Sequence, residues 1–198
     1  MFKNNNTYPI KIIVAEKSKK NKQFLHKTSK NVDIPLSVKD LEIVEQLKKY
    51  LHDAQNPEMI QNHKLKEGVG LSAVQIGYLK NIFYILLKIV DKKTEEEFLY
   101  ERCFANAKII EQNAISFYLE TGEGCLSIEQ PWQHVLRSSW IKIKAYDVLE
   151  KKYIEEEFGD LLAVIIQHEI DHGLGILYTD KIAKINGDIH QKIEINKK

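Results

Sequence analysis

Leu161-Leu162-Ala163-Val164-Ile165-Ile166-Gln167-His168-Glu169-Ile170-Asp171-His172 is the stretch on which the fold turns. Six apolar or small residues, 161 to 166, run straight into a His-Glu-x-x-His pentad. On a helix, residues four apart share a face, so His168 and His172 can grip one metal ion together. Glu169, one residue on, stands beside the remaining coordination position and can handle protons. A solvated polar helix end would have no use for two histidines and two carboxylates directly behind an apolar run.

The flanks narrow the third ligand. One pentad family continues as H-E-x-x-H-x-x-G-x-x-H. Gly175 matches its glycine, but Tyr178 stands where the third histidine would be. Downstream carboxylates are limited to Asp180, Asp188 and Glu194, the last two in a polar tail, which favours an upstream ligand. Cys125, in Glu123-Gly124-Cys125-Leu126-Ser127, fits: a thiolate and two imidazoles bind a borderline-soft cation and leave a fourth position open. Glycines at 122 and 124 let the backbone come close to a ligand. Cys103, in Arg102-Cys103-Phe104-Ala105, reads as a small core hydrophobe on a strand.

A third segment is Gly68-Val69-Gly70-Leu71-Ser72-Ala73-Val74-Gln75-Ile76-Gly77. It lacks the Lys-Ser/Thr of a phosphate-binding loop and the spacing of a dinucleotide fingerprint. Two readings remain: an ordinary turn, or a loop whose main chain pairs with an extended substrate while Gln75 points at the reacting centre.

Taken in order, GVGLSAVQ (68–75), EGCLS (123–127) and QHEIDH (167–172) resemble the peptide deformylases, whose motifs run G-x-G-h-A-A-x-Q, E-G-C-L-S and Q-H-E-x-D-H. The resemblance reaches from about Leu41 to Ile182. The lead into the first motif and the run Phe117 to Cys125 resemble the long-insertion bacterial subtype. Ser72 stands where the family usually has alanine, Gly173 where a larger apolar residue is usual, and Trp132 where some members carry a bracing arginine; Arg137 follows a little further on.

The resemblance implies a metal-dependent amide hydrolase that removes the formyl group from the N-terminal methionine of new polypeptides. It implies Cys125, His168 and His172 as ligands, of Fe(II) by preference with Zn, Ni or Co able to substitute. It implies Glu169 as the proton-transfer group, and Gln75 with the backbone N–H of Leu126 as partners of the developing oxyanion. Gly70 would offer main-chain hydrogen bonds to the peptide. Val69, Leu161, Val164 and Ile165 would line the slot for the methionine side chain. Partners would be N-formyl-methionyl nascent polypeptides, with the ribosome near the exit tunnel as a place of work. The rival readings are a metalloprotease, a structural metal staple, and an inactive relative that only binds.

The rest of the chain is consistent with this. Residues 1–198 are read as a single catalytic domain, long enough for a real core. A net charge of +1 gives no electrostatic case for nucleic acid. The first six residues have no apolar signal core, and the runs 82–87 and 161–166 are too short to span a bilayer. Two cysteines, one assigned to metal, leave no disulfide framework, so a cytoplasmic location is expected.

Residues 15–33, rich in lysine and asparagine, read as a mobile loop. Ser37 and Asp40 form a capping box before a helix carrying Leu41, Val44, Leu47 and Leu51. Residues 52–67 read as a polar connection. Strands are predicted at 79–90, 102–110 and 114–120, and the alternation Ile141, Ile143, Ala145 marks a half-buried strand. Asp160 is predicted to cap the metal helix. His26, His52, His63, His134 and His190 read as surface or loop residues. Strands followed by one central helix predict an α+β fold with antiparallel strands packed around a central metal-binding helix. The tail from Lys184 reads as disorder or a short terminal element.

Overall fold

Ile82-Phe83-Tyr84-Ile85-Leu86 is buried at every position. Successive strand side chains point to opposite faces, so such a run requires a sheet covered on both sides. That is what the structure, a computed structural model, contains. It describes residues 8–90, 95–114 and 116–182, together with the backbone of 191–193.

In chain order the elements are α1 (Lys19–Leu25), α2 (Val38–Asp53), α3 (Pro57–His63), β1 (Gly70–Ser72), β2 (Ile82–Val90), β3 (Glu97–Gln112), β4 (Ser116–Leu119), β5 (Arg137–Ser138), β6 (Trp140–Asp147), β7 (Lys152–Gly159), α4 (Asp160–Leu174) and β8 (Gln191–Ile193). Five strands form one antiparallel sheet in the order β1-β2-β3-β6-β7. A smaller sheet has the order β5-β4-β8, antiparallel at β4–β5 and parallel at β4–β8. This is the predicted α+β arrangement, with α4 as the central helix.

The alternation along β2 divides two cores. Ile82, Tyr84 and Leu86 join Val44, Leu47 and Leu51 of α2. Phe83 and Ile85 join Ala163, Ile166 and Ile170 of α4, with Ile141 and Ile143 of β6. The α4 residues are spaced three and four apart, one stripe of a helix. Each fully buried isoleucine contributes about 1.5–3 kcal/mol. The stripe therefore fixes the rotation of α4 and sends His168 and His172 to another side. Gln167 pins the helix further. Its Oε1 accepts from the Ser138 N–H at 3.0 Å and its Nε2 donates to the Ser138 carbonyl at 2.9 Å.

The structure corrects several local expectations. Within 15–33 lies α1, whose N-cap Ser18 accepts from the Asn21 N–H. Its one fully buried side chain, Leu25, packs with Ala15, Leu177 and Tyr178, and a single anchor gives no periodicity to read. Residues 52–67 contain α3. Asn56 caps it by accepting from the N–H groups of Glu58 and Met59, and Pro57 fills the first turn, a start signal rather than a connector. Asp160 does not cap α4. The N-cap is Gly159, which still pairs with Trp140 in the sheet, and the Asp160 N–H donates to the Ser139 carbonyl. Strand therefore passes into helix with no turn between. Of the predicted capping box the Ser37 half is present, with the Asp40 N–H donating to Ser37 Oγ at 3.2 Å, while the Asp40 carboxylate accepts from the Ser37 hydroxyl at 2.6 Å. Cys103 is fully buried on β3. His190 and most of the tail lie outside the described residues. No helix among the described residues is long and apolar enough to cross a membrane.

Candidate metal centre

Two segments meet over the middle of α4. The chain between β4 and β5 is folded back by paired main-chain bonds between Glu123 and Gln133, at 2.7 and 3.1 Å. Gly122, with φ at 79°, makes the bend possible, since that conformation disfavours any side chain. This fold-back carries Cys125 to the helix. Cys125 Sγ lies 3.2 Å from His172 Nε2, and one donor atom each from Cys125, His168 and His172 lie within 4.8 Å of one another. A sulfur and two imidazole nitrogens at that separation suit a small divalent cation and leave a position for a further ligand. Tyr178, at the place of a third histidine in the other pentad family, is stacked on His168 instead, with centroids 6.1 Å apart.

The candidate ligands are held by a buried chain of charge. His168 Nδ1 donates to Glu123 Oε2 at 3.0 Å, which turns Nε2 toward Cys125 and the candidate cation site. Arg137 binds both oxygens of Glu123 at 2.8 Å and Asp171 Oδ2 at 2.5 Å. Lys181 Nζ reaches Asp171 at 2.7 Å. Burial alone would disfavour a charged Glu123. The hydrogen bonds from Arg137 and His168 outweigh it and bring its pKa down to about 2. At His168 burial is likewise outweighed by hydrogen bonds to Cys125 and Glu123, and the ring's pKa stands well above its ordinary value. Burial, together with the charges of His168 and Arg137, pushes His172 well below it.

Depression of the Glu123 pKa makes a prediction. Its contribution to stability is fully present above the ordinary value of 4.5 and disappears as pH falls toward about 2. Denaturant titrations of the native chain and Glu123→Gln should therefore differ by about 3 kcal/mol near neutral pH and converge across that acid window. A difference that is constant with pH would remove the assigned ion pair.

The remaining predicted residues converge on the same place. Gln75 is buried; its Oε1 accepts from the Ser72 N–H at 2.8 Å and its Nε2 lies 3.5 Å from Cys125 Sγ and 3.2 Å from Ser127 Oγ. Leu126 directly follows the thiol and packs into the α2 core. Glu169 is buried, and burial raises its pKa against the opposing effects of His168, Ser72 and Arg137. Gly70 lies against it so closely that a Cβ there would run into Glu169 Oε1. Strand β1, which carries Gly70, is an edge of the five-stranded sheet, with one side unpaired by strand.

A cavity of about 590 Å³ opens beside these groups, lined among others by Val69, Leu161, Val164, Ile165, His168 and Glu169. Val164 and Leu161 also pack with Phe117 and Leu119 of β4, a contribution the sequence reading did not include. Trp132 lies at the mouth, 60% exposed, with its indole against Gly124, where a Cβ would come within 2.7 Å of Nε1. The sequence reading also left out Asp171 and Lys181. The second carboxylate of the pentad was the available signal for Asp171.

A family model described as polypeptide deformylase matches residues 14–187. The chain belongs to the polypeptide deformylase family. It is 33% identical over 175 residues to the peptide deformylase of Mycoplasmopsis pulmonis (strain UAB CTIP), covering 81% of this chain and 86% of that one. It is 36% identical over 152 residues to that of Oceanobacillus iheyensis, covering 76% and 80%. Among solved structures, peptide deformylase from Thermotoga maritima aligns with a TM-score of 0.60 at 27% identity, covering 89% of this chain and 99% of that chain. The Synechococcus elongatus peptide deformylase solved in complex with actinonin aligns at 0.68 and 23% identity, covering 90% and 83%, a likeness of fold. Like other deformylases, the protein is a hydrolase that takes the formyl group from nascent polypeptides.

Proposed function

We propose that Cys125, His168 and His172 hold the catalytic metal, Fe(II) by preference, and that Glu169 moves the proton in formyl-methionine hydrolysis. The observation that carries this reading is the meeting of Sγ and two ring nitrogens within 4.8 Å beside a buried carboxylate. The metal, when bound, supplies a Lewis acid and makes water a nucleophile at neutral pH. Glu169 takes the water's proton on Oε1, the oxygen over Gly70, and delivers it to the departing amine. The Gln75 amide and the Leu126 N–H stabilise charge as it develops on the formyl oxygen. The unpaired side of β1 at Gly70 receives the peptide main chain as an added strand. Iron is what the family pattern implies; the thiolate and two imidazoles also suit zinc, nickel and cobalt, which would serve as substitutes. Work on nascent chains in the cytoplasm, near the ribosome exit tunnel, follows from the substrate.

The deciding assay is deformylation of a formyl-Met peptide by the Fe(II)-loaded protein, beside cleavage of internal peptide bonds. Release of formate without internal cleavage is the expected result. Internal cleavage alone would make it a metalloprotease. The apolar slot of Val69, Leu161, Val164 and Ile165 should discriminate by roughly 1–3 kcal/mol per methylene-sized change. Formyl-Met peptides should therefore clearly outrun formyl-Ala peptides in kcat/KM, and formyl-norleucine should serve nearly as well. Equal rates for methionine and alanine would take the slot out of the mechanism.

A further inference from the structure

Ser72 is 3% exposed and stands where the family pattern carries alanine. Its Oγ lies 2.7 Å from Glu169 Oε2 and 3.2 Å from the Glu169 carbonyl oxygen. A hydroxyl has one proton to give, and the shorter contact, to a carboxylate, takes it. The two oxygens of Glu169 are thereby distinguished. Oε2 is tied to Ser72, while Oε1 lies against Gly70, where not even a methyl group would fit. The same residue's N–H holds Gln75 Oε1 at 2.8 Å. Any residue but proline at position 72 offers that N–H. Alanine, the residue usual in the family, cannot make the second bond.

We infer that Ser72 is a positioning residue for deformylation: its hydroxyl holds Glu169 Oε2 and thereby commits Oε1 to proton transfer. A free carboxylate can rotate about its terminal torsion, which is broad and roughly two-fold. A carboxylate tied at one oxygen presents the other in one place. Proton transfer depends on that placement, because a small displacement of a reacting group carries a large loss of rate. The inference rests on the assignment of Glu169 made above, and it concerns kcat rather than binding.

Ser72→Ala isolates the hydroxyl, since alanine keeps the N–H to Gln75 and is the residue usual in the family. The variant should keep its metal content and its KM while kcat falls by roughly tenfold. Ser72→Thr, which restores a hydroxyl, should recover most of the loss. In a Glu169→Ala background the same Ser72→Ala change should have no further effect on the residual rate, because the group it positions is gone. An unchanged kcat, a loss expressed in KM alone, or an equal loss without Glu169 would each overturn the assignment. A denaturant double-mutant cycle on Ser72→Ala and Glu169→Ala reads the contact without turnover. It should show roughly tenfold coupling in the unfolding equilibrium even if the native protein proved unable to deformylate. Coupling below about twofold would sink the inference whatever the kinetics.

Discussion

Glu169→Gln should keep its metal and lose turnover of a formyl-Met peptide by about a hundred- to ten-thousandfold, the usual worth of a general acid-base group. Glutamine has nearly the shape of glutamate, so the contacts of the site survive the change. Ser72 Oγ still finds an amide oxygen, and the place over Gly70 is still filled. What disappears is a group that can accept a proton from water and pass it on. Because burial already disfavours the charged carboxylate, a neutral amide there should be no burden on stability. The measurement is kcat with metal analysis on the same sample. One metal per chain with near-native kcat would mean that Glu169 does not carry the proton.

Cys125→Ser should weaken metal binding by more than about a hundredfold, beyond the 10- to 100-fold that loss of a supporting partner usually costs, because the proposed ligand itself is removed. A neutral hydroxyl is a poor substitute for a thiolate toward a borderline-soft cation. The change should leave the fold intact, since the fold-back is held by main-chain bonds between Glu123 and Gln133 and by Lys66 Nζ on the Ile128 carbonyl at 2.6 Å. Cys103→Ser is the control. That thiol is fully buried and its pKa is raised well above the ordinary value by burial, so it belongs to the core. Its substitution should lower stability and leave metal affinity alone. Competition titrations with a chromophoric chelator give both affinities. The reverse pattern, metal lost with Cys103 and kept with Cys125, would reassign the ligand.

Much of the centre is legible in the sequence because its chemistry is local. His168, Glu169 and His172 are set by helical spacing, and Cys125 is the one cysteine placed among glycines. The central place of α4 is legible too, since the apolar run before the pentad must be buried. Less legible is what depends on partners distant in the chain. The ion chain joins Glu123, Arg137, Asp171 and Lys181 from four places in the chain, and no spacing announces it. One signal was available in composition. The chain has 29 basic residues and only two are arginines. Both sit in forked pairs with carboxylates, Arg137 with Glu123 and Arg102 with Glu156, the latter also bonded to Asp147. Where lysine serves everywhere else, arginine marks the places that need a planar, permanently charged fork. Helices α1 and α3 escaped for the opposite reason, being short, mostly exposed and held by one anchor or a cap.

The stripe of Ala163, Ile166 and Ile170 holds α4 against the sheet on a side away from the ligands. Assembly of the protein and acquisition of its ion are therefore expected to be separate events. A zinc finger that surrenders its ion surrenders its shape as well. Here a chelator should empty the centre and leave the circular dichroism of the chain unchanged, and another ion should then enter the same molecule. One polypeptide would then outlive several ions, and the metal found in it would report the supply around it at the time of sampling as much as the preference of its ligands.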